Sequence, residues 1–253
     1  MKISIITATY NSSEFIKDCL QSVAGQTYKN VEHIIIDGGS TDATLSVIQQ
    51  FKHVNKVISE KDNGIYDALN KGIQQATGDI IGFLHSDDFF VSEQVLEWIA
   101  NIFTQNSTSV ALYSDLIYVH RFNAAKILRT WKAGNYNRTL LSKGWMPPHP
   151  TFYVKRSVYI NYGNFDTQFK IAADYDLMLR FLYRHQILPA YLPKTTVAMR
   201  SGGKSGGSVN DVFIKMNEDY KILKKNKTGG LYTLFLKNIS KIPQFFKQKT
   251  FYH

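Results

Sequence analysis

The most restrictive feature of this chain is a regular alternation of apolar runs with segments of helical periodicity. Five apolar runs predict β-strands, at residues 3–8, 31–37, 57–59, 79–88 and 109–119. Segments with apolar side chains at helical spacing separate them, around residues 12–24, 45–51, 65–76 and 93–103. Strands that alternate with helices in this way form βαβ units. We therefore predict an α/β fold with a mainly parallel sheet flanked by helices.

The fourth apolar run, DIIGFLHSDD at residues 79–88, ends in two adjacent carboxylates, Asp87 and Asp88. A buried strand would bring them to the carboxyl end of the sheet, where open α/β sheets bind ligands. There they could hold a divalent cation, which in turn would hold a diphosphate. Asp is also a common N-cap residue, and these residues taken alone favour a helix cap over a metal site.

Polar residues stand at the ends of the other predicted strands as well. Thr7 and Thr9 end the first strand, Asp37 ends the second, and Asp62 follows the third. Because parallel strands end at the same edge, we expect these residues to form one nucleotide-sized site. The chain contains neither GxGxxG nor GxxxxGK[ST], which disfavours a dinucleotide-binding Rossmann site and a P-loop.

Composition limits the compartment and the class of protein. Hydrophobic residues make up 44% of the 253 residues, enough for a packed core. The single cysteine, Cys19, excludes an intrachain disulfide and suits a reducing compartment, so we expect a cytoplasmic protein. The first apolar run is too short for a signal peptide. No apolar run approaches the roughly 20 residues that a membrane span requires.

The net charge of +10 is concentrated near the end of the sequence. Residues 220–253 contain eight lysines and no acidic residue, together with many apolar and aromatic side chains. This composition is typical of an interfacial helix on an anionic membrane surface. An amphipathic helix packed on the domain with a solvated lysine face explains it equally well. No nucleic-acid-binding motif accompanies the charge, so we expect no nucleic-acid partner.

Eight short motifs, in this order, resemble the family 2 glycosyltransferases, most closely the bacterial enzymes that build capsule, lipopolysaccharide or exopolysaccharide. The resemblance covers about residues 1–200. The motifs are ITATYN (6–11), QTY (26–28), IDGGSTD (36–42), DNGIYDALNKG (62–72), HSDD (85–88), PHPTF (148–152), GNFD (163–166) and ADYDL (173–177).

The resemblance implies a GT-A fold, a Rossmann-like catalytic domain over residues 1–200. Residues 1–119 would bind the nucleotide sugar and residues 120–200 the acceptor. A flexible glycine-rich loop and a basic amphipathic helical tail would follow at residues 201–253. The implied reaction is inverting transfer of a sugar from a nucleotide-diphosphate donor, UDP first, to a hydroxyl of a saccharide or lipid-linked acceptor. The implied cofactor is Mn²⁺ or Mg²⁺.

The resemblance also assigns residues to the donor site. Thr7, Ala8 and Thr9 would lie along the base and ribose, Asp37 would accept a base N–H, and Asp62 would contact the nucleoside. The alternative for each is a residue that only organises a strand end or turn.

The implied diphosphate and metal site is the HSDD motif, with Ser86 and Asp87 at the donor and Asp87 as the metal ligand. His85 stands where the family usually has an aspartate, and an imidazole suits manganese better than magnesium. The alternative for His85 is a histidine bonded to the backbone. Asp88 would support Asp87 or cap the next helix.

The implied catalytic base is Asp174, at the start of a predicted helix. The alternative is a helix-capping acid, a role that Asp176 fits better. His149, between two prolines, would line the acceptor or donor-sugar site, unless it is a core histidine.

Several basic residues could help to neutralise the departing diphosphate, namely Lys71, Arg180 and Lys204, although such residues commonly face solvent. Leu69 replaces an arginine that many relatives place near the phosphates. The loop SGGKSGGS at residues 201–208 would close over the nucleotide or serve as a linker.

Two other functions remain open at this point. His85 and Leu69 would also suit a catalytically weak module that binds nucleotide sugars without turnover. A sugar nucleotidyltransferase of related topology is disfavoured, because the segment after the first strand, ITATYNSSE, lacks a glycine-rich basic loop.

Overall fold

The structure is a computed structural model that describes residues 1–106, 108–202 and 209–239. Its strands are β1 (Ile3–Thr9), β2 (Val31–Asp37), β3 (Val54–Ser59), β4 (Ile80–Phe83), β5 (Phe89–Phe90), β6 (Ala111–His120), β7 (Asn123–Trp131), β8 (Tyr153–Lys155) and β9 (Ala190–Arg200). Its α-helices are α1 (Ile16–Ala24), α2 (Thr44–Ile48), α3 (Ile65–Gln75), α4 (Val95–Gln105), α5 (Arg138–Leu141), α6 (Arg156–Tyr162), α7 (Ala173–Leu179), α8 (Val209–Lys225) and α9 (Leu231–Ile239). A 3₁₀ turn spans His149–Thr151, and a π-helical turn, Arg180–Arg184, extends α7.

The described strands form one sheet in the order β3-β2-β1-β4-β8-β6-β9-β5, with β7 paired to β6. Strands β1, β2, β3 and β4 are mutually parallel, and so are β6 and β9. The pairs β4–β8, β6–β8, β6–β7 and β5–β9 are antiparallel. The predicted α/β fold with a helix-flanked sheet is confirmed.

The central strand β1 is buried on both faces, which explains its continuous apolar sequence. Ile6 and Ala8 face a cluster that includes α3 and α7, whereas Ile3 and Ile5 face a cluster that includes α1 and α4. This alternation is the two-residue period of a strand. Helices therefore cover both faces of the sheet and fix the carboxyl end of β1 as part of a rigid core.

Helix α3 lies unusually close to β1 because of Gly72. A Cβ at this position would lie 2.3 Å from the Ile6 side chain, so only glycine allows the observed approach. Ala68 and Ile73 on the same helix are buried against the sheet. The glycine in the motif DNGIYDALNKG therefore has a packing role.

The basic tail predicted from the sequence begins as helix that packs on the domain. Ile222 and Leu223 of α8 and Leu234 of α9 belong to the same buried cluster as Ile6 of β1. Residues 240–253 lie outside the described residues. Among the residues that the structure describes, none of the helices combines the length and the apolarity that crossing a bilayer requires.

The predicted strand at residues 79–88 is wrong in its length. Strand β4 ends at Phe83, and the chain then turns, with the Asp88 N–H donating to the His85 carbonyl at 3.0 Å. Leu84 continues the apolar run because it is buried just past the strand. The first helix likewise begins at Ile16, not at residue 12, because residues 12 and 13 bond to the neighbouring loop.

Candidate functional site

The carboxyl ends of β1, β2 and β4 meet at one edge of the sheet, which we call the carboxyl edge. Hydrogen bonds join the loops that follow these strands. The Ser86 hydroxyl donates to the Ser12 hydroxyl at 3.0 Å. The side-chain oxygen of Asn11 accepts from the Thr41 N–H at 2.9 Å. The motifs ITATYN, IDGGSTD and HSDD therefore form one connected surface.

Asp87 and Asp88 lie in a tight turn between β4 and β5, and Arg200 holds this turn in place. The Arg200 backbone N–H donates to Asp88 Oδ1 at 3.2 Å, and its guanidinium donates to the Asp87 carbonyl at 2.9 Å. A second guanidinium nitrogen pairs with Asp18 at 2.5 Å. Sequence reasoning did not select Arg200. The available sequence signal was that Arg200 still lies within the region that resembles the family.

Asp88 supports this turn and does not cap the next helix, whose N-cap residue is Gln94. Burial, reinforced by the neighbouring Asp87 charge, raises the pKa of Asp88 well above its usual value. Its Oδ2 atom is buried without a partner in the described part of the chain. Of the two predicted roles, support of Asp87 fits this geometry.

His85 and His149 form a second feature of the carboxyl edge. Their ring centroids lie 5.9 Å apart, and the His149 ring stacks on Phe83 at 5.4 Å with Phe165 against its edge. Burial lowers the pKa of both histidines, that of His149 to about 4. His85 Nδ1 and His149 Nε2 are buried and have no hydrogen-bond partner among the described residues. Buried polar atoms without partners indicate a place where a ligand can bind.

Asp174 is the second residue of α7, and hydrogen bonds orient its carboxylate. Oδ1 accepts from the Tyr175 N–H at 2.8 Å and lies 3.1 Å from the Tyr66 hydroxyl. Burial disfavours its charged form, but His149, Lys215 and further basic groups outweigh that effect and lower the pKa of Asp174. The carboxylate is therefore ionised at neutral pH and can accept a proton.

Two carboxylates influence the pKa of His85. Asp87 lies in the same turn, and Asp174 comes from a distant part of the chain. Burial dominates the lowered pKa of His85, while Asp87 and Asp174 both act to raise it. Asp174 also acts on His149 in the same direction. The structure thus brings four predicted residues, at positions 85, 87, 149 and 174, into one group.

The predicted donor residues differ in their accessibility. Thr7 is fully buried, and its hydroxyl lies 3.0 Å from His33 Nε2, inside the core. This position does not fit the predicted contact of the Thr7 side chain with a nucleotide. Ala8 and Thr9 are nearly buried, and the Thr9 hydroxyl has no partner among the described residues. Thr9 is therefore the better candidate of the two threonines.

Asp37 uses both carboxylate oxygens within the structure. It accepts from the Gly39 and Ser40 N–H groups at 3.2 and 3.0 Å and from the Ser40 and Ser59 hydroxyls at 2.5 and 2.6 Å. These bonds fit the alternative role of a turn organiser. A contact with a nucleotide base stays a prediction.

Asp62 lies beside the end of β2, where sequence reasoning expected it. Its Oδ1 accepts from the Gly64 N–H at 2.9 Å. A Cβ on Gly38 would lie 2.5 Å from Asp62 Oδ2, so Gly38 leaves room for the carboxylate. Thr9, Asp37 and Asp62 therefore share one part of the carboxyl edge.

The basic residues selected from the sequence have other partners. Lys71 pairs with Glu60 at 2.7 Å and donates to the Lys61 carbonyl. Arg180 donates to the carbonyls of residues 163 and 164. Both side chains are thus bonded to protein groups, and Lys204 lies outside the described residues. Leu69 is a core residue.

Asp176 does not cap α7. Its carboxylate is buried and accepts from Lys225 Nζ at 3.0 Å and from Asn226 Nδ2 at 2.9 Å. It therefore attaches α7 to the end of α8, and Asp174 remains the acid exposed to the carboxyl edge.

Two of the quoted motifs meet beneath His149 and Asp174. The Asn70 side chain donates to the Phe165 carbonyl and accepts from the Phe165 N–H, each at 2.9 Å. The Phe165 ring packs against Tyr66 and Phe83 at 5.4 Å. This packing sets the position of Tyr66, a contact of Asp174 that sequence reasoning missed inside the motif DNGIYDALNKG.

The described residues contain no group of three or more His, Cys, Asp or Glu side chains placed to hold a metal ion. Metal binding by Asp87 and His85 stays a prediction, and His85 Nδ1 is buried without a hydrogen-bond partner among the described residues.

Comparison with solved structures identifies the fold class. The solved structure of S. aureus TarS (residues 1–349) with UDP-GlcNAc superimposes with a TM-score of 0.66 at 19% identity, covering 88% of this chain and 67% of the TarS chain. The mannosyltransferase PcManGT from Pyrobaculum calidifontis, solved with GDP-Man and Mn²⁺, superimposes with a TM-score of 0.67 at 18% identity, covering 96% and 72%. These structures have the GT-A fold, and the fold predicted from the resemblance is confirmed.

Among curated relatives, a PGL/p-HBAD biosynthesis glycosyltransferase from Mycobacterium bovis (strain BCG / Pasteur 1173P2) is 27% identical over 217 residues. The alignment covers 84% of this chain and 82% of that protein. The profile of the family "Glycosyl transferase family 2" matches residues 4–170. The chain is an enzyme of the transferase class. The sequence motifs, the fold and this match together show that the chain belongs to glycosyl transferase family 2.

Proposed function

We propose that the chain transfers a sugar, with inversion, from a nucleotide-diphosphate donor to a hydroxyl of a saccharide or lipid-linked acceptor. The observation that supports this most strongly is a chain of contacts from the HSDD turn to Asp174. The His85 and His149 rings lie 5.9 Å apart, and Phe165 packs against both His149 and Tyr66, whose hydroxyl lies 3.1 Å from Asp174 Oδ1. A donor held at Asp87 would have its reactive carbon near the carboxylate that must receive the proton of the acceptor. Proton acceptor and leaving group then lie on one surface, as a single displacement requires.

Asp174 is the general base in this proposal. An ionised carboxylate near the attacking hydroxyl takes its proton as the new bond forms. The low pKa of Asp174 keeps it ionised, and its bonds to the Tyr175 N–H and the Tyr66 hydroxyl fix its direction. His149, stacked on Phe83 with an unpartnered Nε2, is placed to bond a hydroxyl of the donor sugar or the acceptor.

The nucleoside would bind where Thr9, Asp37 and Asp62 cluster, with Ser86 and Asp87 at the diphosphate. Two solved structures with this fold are complexes with UDP-GlcNAc and with GDP-Man. We favour UDP over GDP or dTDP as the nucleotide of the donor. The acceptor class is proposed from the resemblance to enzymes that build cell-surface polysaccharide.

Asp87 and His85 would hold Mn²⁺ or Mg²⁺ together with the donor diphosphate. Sites of this kind use one or two protein ligands plus phosphate oxygens, and His85 Nδ1 is a buried donor atom without a partner among the described residues. A bound cation would stabilise negative charge on the departing diphosphate. One solved neighbour contains Mn²⁺.

We also propose that α9 rests on an anionic membrane surface, on its cytoplasmic side. The helix turns its lysine inward, since Lys237 is buried in an ion pair with Asp219 at 2.7 Å. Leu234 packs in the core, but three other large apolar side chains point outward, with Leu231, Tyr232 and Phe235 exposed by 71%, 73% and 59%. An ordinary packed helix has the opposite arrangement. Exposed lysines at positions 221, 224 and 227, just before α9 in the sequence, match the charge of anionic lipids.

A donor screen followed by product analysis tests the proposed reaction. The probes are UDP-GlcNAc, UDP-glucose, UDP-galactose and GDP-mannose, each with and without Mn²⁺. A true donor at a hundredfold its Kd should raise the melting temperature by roughly 5–10 °C. With a saccharide acceptor extract, turnover should release the nucleoside diphosphate. Release of pyrophosphate would show a nucleotidyltransferase, and tight binding without any turnover would show a binding module.

A further inference from the structure

The loop before α7 is held by a side chain from α8. The Glu218 carboxylate accepts three hydrogen bonds from consecutive backbone N–H groups, those of Lys170 at 2.8 Å and of Ile171 and Ala172 at 3.0 Å. Glu218 is buried, so water does not compete for these bonds. One carboxylate thus satisfies three backbone donors in a row.

These three donors stand directly in front of α7, the helix that contains Asp174. The first N–H groups of a helix have no partner within the helix, and negative charge is favourable near them. The N-cap residue of α7, Ala172, has no side chain able to accept these bonds. Glu218 therefore fixes the N-cap residue of α7 and the two residues before it, and it places a negative charge near the N-terminus of the helix.

The C-terminal helices also contact the residues that follow Asp174. Lys237 Nζ lies 3.2 Å from the centre of the Tyr175 ring while it pairs with the buried Asp219. Asp176 accepts from Lys225 and Asn226. The described parts of α8 and α9 thus contact the chain on both sides of Asp174.

We propose that Glu218 is a positioning residue for the transfer reaction, acting through Asp174, and that α8 and α9 are a required part of the catalytic site. The inference rests on the proposed role of Asp174 as the base. The family profile ends at residue 170, so it includes neither Asp174 nor Glu218. Without the three bonds, the loop and the start of α7 move relative to the donor. A shift of about 1 Å at a reacting group can reduce the rate about a hundredfold.

The test compares Glu218→Gln and Glu218→Ala with Asn217→Ala, an exposed neighbour on the same helix. Glutamine keeps the shape of the side chain but offers only one acceptor oxygen, so it should lower kcat about tenfold, and alanine about a hundredfold. The donor KM should stay within about twofold, because the proposed nucleoside and diphosphate contacts, at Thr9, Asp37, Asp62 and Asp87, do not involve Glu218 or α7. Asn217→Ala should match the wild type. A wild-type kcat in both Glu218 variants would overturn the inference.

A double-mutant cycle separates positioning from a general loss of stability. If Glu218 acts through Asp174, adding Glu218→Gln to Asp174→Asn should reduce the residual rate no further. Equal losses in both backgrounds would show that Glu218 is only structural. Full turnover by Asp174→Asn alone would instead remove the proposed base, which is a separate failure.

A measurement on the unaltered protein keeps the test decisive if the variants do not fold. Hydrogen exchange should show the amides of residues 170–172 protected to the same degree as those of α7. Fast exchange of these amides in the native protein would overturn the inference.

Discussion

Four buried polar atoms at the carboxyl edge have no hydrogen-bond partner in the described part of the chain. They are Thr9 Oγ1, His85 Nδ1, Asp88 Oδ2 and His149 Nε2. Each such atom costs about 1–3 kcal/mol if it stays unsatisfied, a cost that a bound ligand can remove. The four atoms belong to the end of β1, the HSDD turn and the 3₁₀ turn that contains His149. We take these three segments as the course of the donor substrate.

The choice of cation should depend on His85. Changing His85→Asp replaces a nitrogen ligand with a carboxylate, which magnesium binds as readily as manganese does. In the presence of UDP, we expect the preference for Mn²⁺ over Mg²⁺ to fall on the order of tenfold. Electron paramagnetic resonance of Mn²⁺ displaced by Mg²⁺ measures that ratio directly.

The matched control for this prediction is His185→Asp. His185 is exposed and stacks on Tyr162 after α7, away from the HSDD turn. The His185→Asp variant should keep the wild-type preference for Mn²⁺ over Mg²⁺. If His85→Asp also leaves the ratio unchanged, His85 does not bind the cation.

Sequence reasoning selected candidate residues from the motifs, but it missed Tyr66 inside one motif and Arg200, which only folding brings to the site. His85, Asp87, His149 and Asp174 were predicted and lie together. Arg200 reaches the HSDD turn across 113 residues of sequence. Local patterns hold no information on such contacts. Thr7 shows the opposite error, since a strand-end hydroxyl can point into the core, as here toward His33.

Among the secondary-structure elements, the alternation of strands and helices was predictable because each element has its own period. The end of β4 was not predictable, because Leu84 and Phe90 are buried beyond it and prolong the apolar run. The turn that ends the strand depends on Arg200 and on pairing of β5 with β9. Long-range contacts thus set the boundary that matters most for the site.

Helix α9 yields a prediction for membrane binding. Changing Tyr232→Ser and Phe235→Ser together removes two exposed aromatic side chains, whose burial in lipid is worth roughly 1.5–3 kcal/mol each. We expect binding to vesicles with anionic lipid to fall at least about tenfold. Sedimentation with phosphatidylglycerol vesicles measures it, with neutral phosphatidylcholine vesicles for comparison.

The control for the α9 variants is Leu188→Ser, which removes an equally exposed apolar side chain elsewhere on the surface. It should bind vesicles as the wild type does. Added salt should weaken wild-type binding, because the lysines act through charge. Vesicle binding that survives the loss of both aromatic residues would show that α9 does not face lipid.

At the scale of the whole molecule, three stretches of sequence build one site. Residues before 120 supply the ends of β1, β2 and β4, and later residues supply His149, Asp174 and Arg200. The C-terminal helices add Glu218 and share a buried cluster with Ile6. The sequence predicted these parts as two halves and a tail, a division based on motif position. The described part of the tail shares a buried cluster with β1, which agrees with the proposal that α8 and α9 support the catalytic surface.

The central claim is that Asp174 receives the proton of the acceptor on the surface where Asp87 holds the donor. The most direct measurement is the rate of nucleoside diphosphate release by Asp174→Asn, together with its Kd for that nucleotide. Asp79→Asn is the matched control, because Asp79 bonds the backbone of Lys2 at the opposite edge of the sheet. We predict that Asp174→Asn lowers turnover by roughly 10²–10⁴-fold while the Kd stays within about twofold. Turnover at the wild-type rate would contradict the account.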